Sequence, residues 1–195
     1  MLAQRRLVTY LQPIFDGAGA SHGEEALVRG LAPLGELIEG GRILEAAGDL
    51  ELEATVDRLL IEQAIEAFGT DDQAGTRLYL NVAGAGLEHP ESAVGVAYKA
   101  SKRAQISPGR IVLELSQAER RPEDLLRRAA SVFRTAGFAV GLDDLGSTPG
   151  AERLASELRP SVVKLSAELV RGAARRPSDA SRLRAITATA SGLGA

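Results

Sequence analysis

Between residues 76 and 165 the chain repeats one device: a short apolar, β-branched run that closes on a polar side chain, followed by a stretch of helical period. Leu78-Tyr79-Leu80 ends on Asn81, Ile111-Val112-Leu113 on Glu114, Val140-Gly141-Leu142 on Asp143-Asp144, and Val162-Val163 on Lys164. Consecutive strands separated by helices pair in parallel, because the connection must cross over the sheet. The tips of such strands converge while the loops beyond them vary, which is how barrels and open α/β sheets assemble a site. The pattern limits the fold to an α/β sheet and sets candidate site positions along one end of it.

Hydrophobic period predicts strands over 7–15, 25–29, 76–82, 110–116, 138–143 and 161–165. Helices are predicted over 53–68, 91–104, 122–136, 150–158 and 178–190, the first from Val56, Leu59, Leu60, Ala64 and Ile65. The Gly-rich link Asp16-Gly17-Ala18-Gly19 suits an antiparallel hairpin at the start, and residues 30–52 read as irregular with short helical stretches. Gly69, Gly137 and Gly172 stand where helices should stop in the left-handed conformation, and Pro90, Pro122 and Pro160 punctuate loops or first turns.

A chain of 195 residues with 45% apolar content suits one domain. It has neither a run of eighteen apolar residues nor a secretory-type start, so a cytoplasmic protein is expected. With no cysteine there is no disulfide, thiolate nucleophile or thiolate metal site, and a metal must take oxygen ligands or the two histidines. A net charge of −3 gives no electrostatic basis for binding DNA, RNA or a membrane. Residues 1–97 carry 6 arginines against 16 acids and residues 98–195 carry 17 basic residues against 10 acids. Solvated helix faces of opposite sign account for that split, with a docking surface for an acidic partner as the alternative.

Side chains alternate along a strand, so Asn81 shares a face with Tyr79, Glu114 with Val112, and Asp143 with Gly141. If those faces line a barrel mouth, three oxygen donors converge that suit Mg²⁺ or Mn²⁺, with Asp144 available to a second ion. Two such ions clamp a phosphodiester and activate water, and Lys164 would stabilise charge or orient that water. A single acid at a strand end is ordinarily a helix cap or a solvated loop residue, and one of Asp143 and Asp144 fits that description easily. Other chemistries find less: His22 in a turn and His89 before a proline have no nucleophile beside them, and there is no phosphate-loop or nucleophile-elbow spacing.

At these residues the chain resembles the EAL family of cyclic di-GMP phosphodiesterases. Gln12-Pro13-Ile14 is similar to the family's opening strand, and Glu25-Ala26-Leu27-Val28-Arg29 to its name-giving motif. Asn81-Val82-Ala83, Glu114-Leu115-Ser116-Gln117, Asp143-Asp144-Leu145-Gly146 and Lys164-Leu165-Ser166 resemble four later segments in the same order. The resemblance implies a TIM-like (β/α) barrel whose first strand runs against the others, hydrolysing cyclic di-GMP to the linear dinucleotide. Glu25, Asn81, Glu114 and Asp143 would be ligands of Mg²⁺ or Mn²⁺, Asp144 would serve the second ion, and Glu25, Asp144 and Lys164 would carry the catalysis. Gln12, Leu27 and Arg29 would touch the nucleotide.

The departures bear on turnover. Gln117 stands where the family has a loop-ordering glutamate, Ser166 replaces an aspartate, and Leu145 with Ser147-Thr148-Pro149-Gly150 changes the loop after the acid pair. The family's last two barrel strands, with a further glutamate, would follow Ala195, so residues 1–195 are expected to form an EAL-type domain incomplete at the C-terminus. The edge of strand 161–165 would then need a cover, from a second copy, a rearranged C-terminal helix or further sequence. Impaired hydrolysis is expected, with a noncatalytic module that binds cyclic di-GMP or a protein partner as the alternative. An unrelated Mg²⁺-dependent barrel enzyme is a third reading.

Overall fold

The computed structural model describes residues 6–15, 19–70, 75–82 and 84–195. Among them lie seven strands and eight α-helices in an alternating order. β1 (Leu7–Phe15) and β2 (Ser21–Leu31) form the opening antiparallel hairpin, and β3 (Leu37–Glu39) pairs antiparallel on β2. α1 (Gly40–Gly48) and α2 (Glu53–Thr70) lead to β4 (Arg77–Val82). Then follow α3 (Gly84–Glu88), α4 (Pro90–Arg103), β5 (Ile111–Leu115), α5 (Glu123–Thr135), β6 (Ala139–Leu145), α6 (Ala151–Leu158), β7 (Val162–Leu165), α7 (Ala167–Ala173) and α8 (Pro177–Leu193). β2, β4, β5, β6 and β7 are parallel neighbours in that order.

The returning strand is longer than the sequence predicts, starting at Ser21. His22 therefore lies in β2, exposed, with its ring centroid 6.1 Å from that of Tyr79. The tip residues 16–18 of the predicted turn lie outside the described residues, as does Ala83. Of the three glycine stops, Gly137 is left-handed, at φ 88°, whereas Gly69 and Gly172 sit inside α2 and α7 without positive φ.

The core follows from the parallel sheet. All five residues of β5 are buried: Ile111, Leu113 and Leu115 lie in the main apolar core, while Val112 and Glu114 face inward within the curled sheet, beside Gly141. α5 shows how a crossover helix is specified: Glu123 and Asp124 in its first turn and Arg134 in its last complement the helix dipole. Its Leu126, Ala129, Ala130 and Phe133, spaced i, i+3, i+4 and i+7, bury one stripe against the sheet. Gly23 lets β2 and β4 lie close together, since a Cβ there would stand 2.6 Å from the Arg77 carbonyl oxygen and 2.5 Å from Tyr79 Cε2.

The sheet is curled but not closed. Three strands separate β2 from β7, which in a flat sheet would hold them about 19 Å apart. Lys164 Nζ on β7 nevertheless lies 2.9 Å from Glu25 Oε2 on β2. Among the described residues β7 pairs with β6 alone, and α8 packs chiefly on α6 and α7 rather than along the outer edge of β7. No helix among the described residues is long and apolar enough to cross a membrane.

Candidate active site

Strand register sets the site. Asn81 stands opposite Glu114, and Glu25 stands opposite Tyr79 on one side and Gln12 on the other. Glu25 and Glu114 extend towards Lys164 from β2 and β5, and Asp143 does so from β6. The Lys164 ammonium lies 2.9 Å from Glu25 Oε2, 3.1 Å from Glu114 Oε2 and 3.3 Å from Asp143 Oδ1. Asn81 Nδ2 donates to Glu25 Oε1 at 2.8 Å, and Ser116 Oγ donates to Asn81 Oδ1 at 2.8 Å. Five of the candidate residues thus form one connected cluster, to which the structure adds Ser116.

Glu114 is the innermost member. It is fully buried, its Oε1 has no hydrogen-bond partner, and it stands opposite Gly141, where a Cβ would come 3.1 Å from Glu114 Cγ. Burial pushes its pKa up to about 7, Lys164 pulls against that shift, and Asp143 and Glu25 add to it. Burial works against the Lys164 ammonium, but Glu114, Asp143 and Glu25 outweigh it and hold its pKa above the ordinary lysine value.

Asp144 is set apart. β6 bulges between Leu142 and Leu145, and Asp144 takes φ 56°, the left-handed conformation that costs of order 1 kcal/mol or more outside glycine. Its side chain is exposed and accepts from Ser147 Oγ at 3.4 Å, outside the Lys164 cluster. Gln12 is exposed beside Glu25, while Leu27 and Arg29 continue the Glu25 face of β2. Leu27 and Arg29 join Asn81, Ser116 and Gln117 in lining a cavity of about 300 Å³.

The loop after the acid pair is held by a residue that motif offsets did not single out. Gln117, at φ 54°, is exposed, and Glu119 accepts hydrogen bonds from Gly146 N at 2.8 Å and Thr148 N at 2.7 Å. Arg182 on α8 donates to the carbonyl oxygens of the same two residues at 2.7 and 2.8 Å. Ser166 caps α7 by accepting from Leu169 N at 3.1 Å, a structural role for a hydroxyl there.

Among the described residues no three acid or histidine side chains stand ready as a metal cage. Here the ammonium of Lys164 holds the ground between the carboxylates. The donor set itself fits a hard divalent cation, being carboxylate and amide oxygens with one buried carboxylate oxygen, Glu114 Oε1, left unpartnered.

The model of the EAL domain family matches residues 1–195. Among solved structures, the PaMucR phosphodiesterase in complex with cyclic di-GMP superimposes with a TM-score of 0.82 at 23% identity, covering 98% of this chain and 79% of that one. The FimX EAL domain of Pseudomonas aeruginosa bound to cyclic di-GMP gives 0.83 at 20% identity, covering 99% and 78%. BlrP1 of Klebsiella pneumoniae, in a manganese and cyclic di-GMP complex, gives 0.83 at 23% identity, covering 97% of this chain and 48% of that one. At these identities the likeness establishes the fold. No curated protein matches the sequence at a significant level.

Proposed function

Since this chain belongs to the EAL domain family, we propose that residues 1–195 act as one EAL-type unit that binds cyclic di-GMP at the strand ends and, with a divalent cation, hydrolyses it slowly. The observation that carries this reading is the meeting of Glu25, Glu114 and Asp143 within 3.3 Å of Lys164 Nζ beside an unpartnered Glu114 Oε1. The solved relatives, which hold cyclic di-GMP and in one case manganese, support the ligand and the class of ion.

Glu25, Asn81, Glu114 and Asp143 would hold Mg²⁺ or Mn²⁺, with Asp144 serving a second ion. Such an ion, when bound, offsets phosphate charge and lowers the pKa of a water molecule. The chain's own groups do the rest. Asn81 fixes the orientation of the Glu25 carboxylate through its Nδ2 and is itself fixed by Ser116. Arg29 offers a guanidinium to phosphate, Leu27 an apolar face to a base, and Gln12 an amide to the nucleotide edge. In the reaction the water oxygen bonds to phosphorus as it gives up a proton, one bridging P–O bond opens, and the departing ribose oxygen takes up a proton, so that one water is consumed for each bond opened. Lys164 orients the water and stabilises the charge gathering on phosphorus.

Gln117 and Ser166 put neutral groups where the family carries acids, and slow turnover is read from the loss of those charges beside the site rather than from a loose loop, which Glu119 holds. The same two residues favour the second reading, a module that binds cyclic di-GMP without cleaving it. A cytoplasmic setting, and a second copy or protein partner over the outer edge of β7, belong to the same proposal. Calorimetric titration of cyclic di-GMP with and without Mg²⁺, followed by chromatography of the products, tests both. Saturable binding lost in Asn81→Ala and Arg29→Ala supports the site, and linear product separates enzyme from binder. Absence of binding under both conditions would remove the nucleotide reading.

A further inference from the structure

We propose that Lys164 is the resident cation of this site: its ammonium holds the three carboxylates together while no divalent ion is bound, and it must leave them for one to enter. The inference rests on reading the cluster as a divalent-cation site.

Two features carry it. Lys164 Nζ faces Glu25 Oε2, Glu114 Oε2 and Asp143 Oδ1 at 2.9, 3.1 and 3.3 Å, from three different strands. A magnesium-sized ion drawing on those same oxygens sits roughly 2.0–2.1 Å from each, so it claims the ground the ammonium faces. The second feature is the orphan. An ammonium has three protons to donate, and it already faces three carboxylate oxygens, hydrogen-bonding Glu114 through Oε2, while Glu114 Oε1 is left buried without a partner. An ion with about six coordination positions has capacity for that oxygen as well. Lys164 has the means to leave: its side chain is 25% exposed, and lysine carries its charge on a flexible four-carbon stem.

The chain has three lysines, and Lys99 and Lys102 on α4 serve as internal references. The protein is acylated briefly with acetic anhydride across a Mg²⁺ titration, and labelling at each lysine is read by mass spectrometry. Mn²⁺ binding is measured in parallel by electron paramagnetic resonance. The expected result is a severalfold rise in Lys164 labelling relative to Lys99 and Lys102, tracking ion occupancy, and about tenfold tighter Mn²⁺ binding in Lys164→Met. Loss of a positive charge alone would tighten binding, so labelling is the deciding readout. Saturable Mn²⁺ binding with unchanged Lys164 labelling overturns the inference and leaves the cation site standing. No saturable binding in the wild type or in Lys164→Met removes the cation site itself, and the inference with it.

Discussion

Glu114 on β5 and Gly141 on β6 are directly paired, and the missing side chain at Gly141 is what gives the Glu114 stem its room. A Cβ at 141 would lie 3.1 Å from both Glu114 Cγ and Val112 Cγ1. Gly141→Ala is therefore expected to destabilise the fold by about 1–3 kcal/mol and to displace the Glu114 carboxylate from Lys164. Denaturant unfolding measures the first effect and Mn²⁺ affinity the second. An unchanged midpoint together with unchanged affinity would mean that the strands part at no cost.

Glu119 tethers the loop after the acid pair through two charge-assisted hydrogen bonds. Glu119→Ala should raise amide exchange at Gly146 and Thr148 by about ten- to a hundredfold, since each such bond contributes about 1.5–3 kcal/mol. Gln117→Ala should leave both amides protected. The reverse outcome would return the loop-ordering role to position 117.

Asp57 on α2 is buried, accepts from Gly86 N at 2.8 Å, and has its pKa pushed up by burial from 3.8 to about 6. The native state thus holds this proton more tightly than the unfolded chain does. The stability so gained is fully present below about pH 4 and is lost as the pH rises through 6. Asp57→Asn keeps an acceptor for Gly86 but does not titrate. Its stability relative to wild type should climb by about 2 kcal/mol between pH 4 and pH 7, measured by thermal unfolding. A difference independent of pH would place the Asp57 pKa at its ordinary value.

Gly23→Ala would drive a Cβ into backbone, the Arg77 carbonyl oxygen at 2.6 Å, and should cost about 2–4 kcal/mol. Gly95 on α4 has nothing within 4 Å of its would-be Cβ, so Gly95→Ala should stabilise by about 0.5–1 kcal/mol. Chemical denaturation of the two variants side by side checks the contrast.

The strand tips were legible because burial on both faces forces an apolar, β-branched run, and a polar residue ending that run is conspicuous. The parallel order was legible from the helical crossovers. Less was visible where chemistry and pattern part company. The first turn of β2 is Ser21-His22-Gly23-Glu24, a polar stretch that pairs with β1 through its backbone, so no hydrophobic alternation announces it. β3 is three residues long, below any period. Strict alternation would put Asp143 and Asp144 on opposite faces, and only the bulge beside β7 sets their final aim. Glu119 escaped because its partners, Gly146 and Thr148, lie 27 and 29 residues away and meet it through the β5–β6 pairing. The place of Lys164 between Glu25 and Glu114 depends on how far the sheet rolls, a quantity that no local run of residues encodes.

That roll has its own implication. Lys164 bridges the second strand and the last across an unclosed mouth, so the ion pair acts as a drawstring on the whole rim. In the exchange proposed above, the tie between β2 and β7 passes from the ammonium to the incoming ion, and the spacing of the two strands would follow the size of that ion. A charge exchanged at the centre would be felt as a change of gape at the outermost strand.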